Sequence, residues 1–212
     1  MKSLLSVSLC LLLIGCSCAS SLTRDRGKGE TIRVEKEQLP PMIDASANLC
    51  KYNMTIDFLR KHFSGLLLLK ETGTGTYRAL FSTHFGLSLF DLEIGADSLK
   101  VHHCVEPLNK RKILNLFYRD FQVLLGLNLE DENKATLHTG VRPDTDLVYQ
   151  LSASGQKSYY RMNNKTGRIQ EIRQGSGLRK ITFRSLPDST GQESIRVRHT
   201  GLKLSIGLDA IH

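Results

Sequence analysis

The sequence predicts a mainly β domain of the α+β kind. The expected architecture is a curved antiparallel sheet, a half-barrel of about ten strands, with one main helix packed on its concave face. Three observations lead there. Apolar residues alternate at spacing two in segment after segment from about residue 50 to the C-terminus. The connectors are short and rich in Gly, Asn, Asp and Ser, which favours antiparallel neighbours. One stretch, residues 107–126, carries its apolar residues at helical spacing instead. A sheet of about ten strands would curl or close to cover its apolar face.

The strands follow in order. In residues 51–60, Tyr52, Met54, Ile56 and Phe58 share one face, the mark of a half-buried strand. Residues 64–70 hold the run Leu66-Leu67-Leu68-Leu69, too short for a helix and bounded by glycines, which predicts a strand covered on both faces. Tyr77, Ala79 and Phe81 continue the meander after the turn Thr72-Gly73-Thr74-Gly75. Phe90, Leu92 and Ile94 form the next apolar face, with Asp91 and Glu93 opposite, and residues 99–105 follow a Gly95-Ala96-Asp97 turn. Further strands are expected at 135–139, 147–152, 157–162, 167–174, 178–186 and 194–199. The final segment alternates Leu202, Leu204, Ile206 and Leu208 with Lys203, Ser205, Gly207 and Asp209.

The helix has Pro107 in its first turn and Gly126 just past its end, the usual asymmetry of helix termini. Ile113, Leu114, Phe117, Phe121, Leu124 and Leu125 make one broad apolar stripe. Such a helix lies on something apolar, either as a core helix on the sheet or as the cover of a ligand cavity.

The N-terminus belongs to another category. Lys2 precedes an apolar run from Leu4 to Ile14, far short of the ~20 residues that cross a bilayer, so it reads as the core of an export signal. The run ends in Leu13-Ile14-Gly15-Cys16, which resembles a bacterial lipobox. That resemblance implies cleavage before Cys16, lipidation of its thiol, and a membrane anchor made of acyl chains. An ordinary secretory signal cut near Ala19-Ser20 is the alternative. The expected organisation is a signal peptide over 1–15, a lipidated flexible tether over 16–31 and one β-rich domain over 32–212, in the cell envelope and facing the periplasm from the outer membrane. Multiple acyl chains anchor stably where one is marginal.

Composition narrows the function classes. Of 212 residues, 40% are hydrophobic and 24% charged, so a wholly disordered chain is excluded. Lys and Arg number 29 against 21 Asp and Glu, but they are scattered, with no aromatic-interleaved signature, and an exported protein is not expected to bind nucleic acid. Cys50 and Cys104 fall in the folded part, where an oxidising compartment permits a bridge between them; free buried thiols are the other reading. His102-His103-Cys104 offers at most half of a zinc site, and no nucleophile motif or phosphate loop is present. No enzyme activity and no cofactor are expected.

The opening strand Phe63-Ser64-Gly65-Leu66-Leu67-Leu68-Leu69, the meander strand from Leu87 to Ile94 and the terminal strand from Leu202 to Leu208 together resemble the LolA/LolB-like lipoprotein-carrier fold. The resemblance covers roughly residues 50–210. It implies a non-catalytic envelope lipoprotein that binds an apolar ligand, lipid or lipoprotein acyl chains, on the inner face of its sheet. Candidate cavity residues are Leu67, Leu69, Phe81, Phe90, Leu92, Phe117 and Phe121, each of which serves equally well as filled core. The alternative is an interaction or assembly subunit that docks an envelope protein partner.

Overall fold

A computed structural model describes residues 29–139, 146–153, 156–187 and 193–211. The expected signal peptide, most of the tether and Cys16 lie outside the described residues. The fold is mainly β, with thirteen strands in one antiparallel sheet and a single α-helix, α1 (Arg111–Leu124). The strands are β1 (Glu30–Glu35), β2 (Cys50–Phe58), β3 (Lys61–Gly73), β4 (Thr76–Ser82), β5 (Ser88–Ile94), β6 (Leu99–Cys104), β7 (Glu132–Thr139), β8 (Asp146–Ala153), β9 (Gln156–Asn163), β10 (Ile169–Gln174), β11 (Ile181–Pro187), β12 (Glu193–His199) and β13 (Leu204–Ala210).

Across the sheet the order is β1-β7-β8-β9-β10-β11-β12-β13-β2-β3-β4-β5-β6. Two sequence expectations are corrected here. Thirteen strands replace about ten, and the sheet is open and uncurled rather than a half-barrel. Its edges, β1 and β6, do not pair with each other. Both carry charged or ionisable side chains, Arg33 and Glu35 on one and Lys100, His102 and His103 on the other, the usual protection of an exposed edge. β1 was expected to be tether up to residue 31; it pairs residue for residue with β7, from Glu30 opposite Leu137 to Glu35 opposite Glu132, and buries Val34.

The sheet turns one face to a continuous hydrophobic core. Along β2 the buried residues are Tyr52, Met54 and Ile56, and along β13 they include Leu204, Ile206 and Leu208, as period two requires. β3 departs from its expected two-sided burial. Leu67 and Leu69 are buried, whereas Leu66 and Leu68 are half-buried on the opposite face. Gly65 has a steric reason within that strand. A Cβ there would lie 1.9 Å from the Ser82 carbonyl oxygen, so only glycine lets β3 and the end of β4 approach this closely.

The helix lies on the core face. Phe117 and Phe121 meet Phe90 of β5, with ring centroids 5.6 and 6.4 Å apart, and Phe81 meets Phe90 at 5.2 Å. Such aromatic contacts add to the area that the rings bury. The helix also reaches β12, where His199 Nε2 and Asp120 Oδ2 are 2.8 Å apart and both residues are buried. Tyr118 donates to the Ala96 carbonyl at 2.8 Å, tying the helix to the β5–β6 turn. Gly126, with φ of 67°, ends the helical segment in the left-handed conformation. Among the described residues, no helix is long and apolar enough to cross a membrane.

Candidate functional site

All seven residues expected around a cavity, Leu67, Leu69, Phe81, Phe90, Leu92, Phe117 and Phe121, are buried within one core cluster. The rings of Phe81, Phe117 and Phe121 each meet the ring of Phe90. The structure therefore places these seven together as packed core.

Open apolar surface lies elsewhere, at one end of the sheet. The antiparallel register brings four turns to the same rim: β10–β11, β12–β13, β2–β3 and β4–β5. At ~4.8 Å per strand they are spaced over roughly 29 Å. They carry five of the eight exposed large hydrophobic side chains among the described residues: Leu178, Leu202, Leu59, Phe85 and Leu87. Phe85 is completely exposed. Its loop is nonetheless built. Thr83 N–H donates to the Leu87 carbonyl at 2.8 Å, Gly86 N–H donates to the Thr83 carbonyl at 2.9 Å, and Leu87 N–H donates to the Thr83 hydroxyl at 3.1 Å. Gly86 supplies the positive φ of 85° that closes this turn. The loop holds an aromatic ring out in water, against the cost of its exposure.

Cations surround these side chains. Arg60 and Lys61 adjoin Leu59, Arg179 and Lys180 follow Leu178, Lys203 follows Leu202, and Lys110, Arg111 and Lys112 lie at the start of α1. The carboxylates nearby are engaged: Glu106 with Lys110 at 3.4 Å and Asp57 with His62 at 2.7 Å. Beside Leu59 a half-open pocket of about 530 Å³ is walled by Phe58, Leu59, Pro107 and Ile113. Arg60, Lys61, Lys110 and Lys203 line it as well. Apolar walls with several cations suit a chain that is greasy along its length and anionic at one end.

The sequence anticipated none of this rim. Of these five, only Phe85 falls in an expected turn; Leu59, Leu87, Leu178 and Leu202 were expected at strand ends, which stop short of them at Phe58, Ser88, Ile181 and Leu204. Only the antiparallel register brings the turns to one end.

Of the two readings left open for the cysteines, the structure has the free thiols. Cys50 and Cys104 are both free. They lie on β2 and β6, four strand spacings apart in the sheet, or ~19 Å, against the ~7 Å limit for Cα atoms of a disulfide. Burial pushes both thiols up, away from the thiolate form a nucleophile needs. His102 Nε2 lies 3.1 Å from Glu93, and His103 Nε2 lies 3.2 Å from the Ser88 carbonyl oxygen. Among the described residues, no three His, Cys, Asp or Glu side chains converge as a metal site would require.

No protein-family model matches this chain, and no curated protein matches it either.

Proposed function

We propose that this protein is a non-catalytic envelope lipoprotein, anchored through Cys16, that binds lipid or acyl chains at the rim of its sheet. The observation that carries the reading is the coincidence of five exposed apolar side chains, eight surrounding cations and a pocket with apolar walls at one end of the molecule. The apolar tips enter the acyl region of a bilayer or of a lipid ligand. The cations meet anionic headgroups, each worth ~1 kcal/mol near a charged membrane surface. The packed interior takes no ligand in this reading; the rim does. The location accords with an export signal followed by a lipid anchor, which keeps the domain within a tether's length of the membrane.

The test is sedimentation of the full chain carrying Cys16→Ala, which removes the anchor, with phosphatidylcholine vesicles containing or lacking phosphatidylglycerol. Binding is expected chiefly to the anionic vesicles. Phe85→Ser with Leu87→Ser is expected to weaken it by roughly tenfold or more, because each apolar side chain buried contributes about 1.5–3 kcal/mol. Equal binding by wild type and the double variant would remove the rim from the account.

A second reading, an assembly subunit that docks an envelope partner, is favoured by the arginines on the other face of the sheet.

A further inference from the structure

Opposite the core, β9 to β12 present five arginines: Arg161, Arg173, Arg184, Arg196 and Arg198. The pleat puts them there, because they alternate with the buried residues Tyr160, Ile172, Phe183, Ile195 and Val197. Three of them are organised by one carboxylate. Glu171, on β10, is almost fully buried. Arg173 Nε donates to its Oε1 at 2.6 Å, Arg184 Nε approaches the same oxygen at 3.2 Å, and Arg161 Nη2 lies 3.1 Å from Oε2. Burial pushes this carboxyl up, but the hydrogen bond and charge of Arg173, with Arg161 and Arg184, outweigh it and hold Glu171 below its ordinary value.

The geometry leaves charge in surplus. Arg173 and Arg184 both use Nε on Glu171, and Arg184 stays half exposed while Arg173 is largely covered. Arg196 pairs with Asp209 at 2.8 Å and lies across Gly207, where a Cβ would come 3.5 Å from its Nη1. Among the described residues of these strands and β13, five guanidiniums thus face two carboxylates, Glu171 and Asp209. Arg184 and Arg196 are direct cross-strand partners, an arrangement that costs stability between like charges. Tyr159 lies opposite Arg173 on the same face. Folding alone gives no reason to gather these charges; a partner that supplies the missing negative charge does.

We propose that the outer face of β9–β12 is a docking surface for an acidic protein segment, whose Asp and Glu carboxylates meet the guanidinium forks positioned by Glu171. This deepens the second reading above and is independent of the rim. A sheet face is broad rather than concave, unlike a small-molecule pocket. Its arginines and tyrosine are residue types enriched at protein interfaces. The large exposed apolar side chains that would insert into a membrane are concentrated at the rim instead.

The experiment measures fluorescence anisotropy of a labelled peptide of Asp and Glu with the full chain in non-ionic detergent. Salt-sensitive binding is expected. R184E/R198E should weaken it by roughly tenfold or more, with a melting curve to show that the variant stays folded at the assay temperature although residue 184 faces Glu171, and R184K/R198K should fall between the two, since lysine keeps the charge but not the fork. K110E/K112E makes the same change of net charge at the rim and should leave binding nearly intact, as should Phe85→Ser. Absence of binding would overturn the proposal. So would equal weakening by K110E/K112E, or complete displacement of the peptide by inorganic phosphate at matched charge, which would mark a small-anion site. Loss of vesicle binding in Phe85→Ser with peptide binding retained would separate this face from the rim.

Discussion

Asp120 is the residue where burial and chemistry conflict most. It projects from α1 into the core, meets His199 across the helix–sheet contact, and leaves Oδ1 without a hydrogen-bond partner. Burial pushes its carboxyl above the ordinary 3.8, opposed by the hydrogen bond and charge of His199. The sign of the pH effect follows. In the unfolded chain Asp120 loses its proton near 3.8, while the folded chain holds that proton to higher pH. Between those two points the native state binds more protons, so this residue's contribution to stability falls as pH rises. Asp120→Asn preserves a hydrogen-bonding partner for His199 without the charge. Its urea midpoint relative to wild type is therefore expected to rise as the pH is raised above about 4. A difference that stays constant across that range would show that Asp120 does not titrate in the folded protein. Glu171 has the opposite sign, but it is common to both proteins and cancels in the comparison.

At the level of elements, α1 fixes the interior. Phe117 is buried against Phe90, and Ile113, Phe121 and Leu124 continue the same stripe. Phe117→Ala should cost about 3–5 kcal/mol in chemical unfolding, because removing a ring from close-packed surroundings adds a cavity to the lost burial. A loss under about 1 kcal/mol would mean that the helix covers space rather than core. This helix was legible in the sequence because its stripe spans several turns and its C-terminal glycine is unambiguous. Most strands from β2 to β13 were legible for a related reason: period two survives in β2, β4, β5, β12 and β13, while β3 was read from its bounded Leu run. β1 was not. Its segment, Glu30-Thr31-Ile32-Arg33-Val34-Glu35, carries charge on nearly every outward position and adjoins a polar stretch, so it resembles a linker until β7 is there to pair with it. Long-range neighbours were equally hidden. No local pattern shows that β13 inserts between β12 and β2, which is what joins the β7–β12 strands to the β2–β6 meander in one sheet.

At the scale of the whole molecule, an open sheet of thirteen strands must manage two edges. β6 presents Lys100, His102 and His103, and β1 carries charge at three of its six positions, Glu30, Arg33 and Glu35. β7, directly inside β1, is less protected: Thr136 and Leu137 are half-buried, Ala135 is buried, and every residue from Glu132 to Leu137 has a partner on β1. β1 therefore acts as a sacrificial edge that satisfies the β7 hydrogen-bonding groups and covers apolar surface with Val34. Deleting residues 30–35 while retaining the preceding tether should leave the remaining twelve strands paired and the melting cooperative, since β1 contacts the sheet along one ladder only. It should also expose an unpaired β7 edge that recruits the same edge of another copy. Light scattering is expected to show concentration-dependent association of the deleted protein under conditions where the full chain stays monodisperse. Lysine at Thr136 and Leu137 should suppress that association, because charge on an open edge opposes strand addition. Association that persists with the lysines in place would assign it to the exposed apolar rim instead.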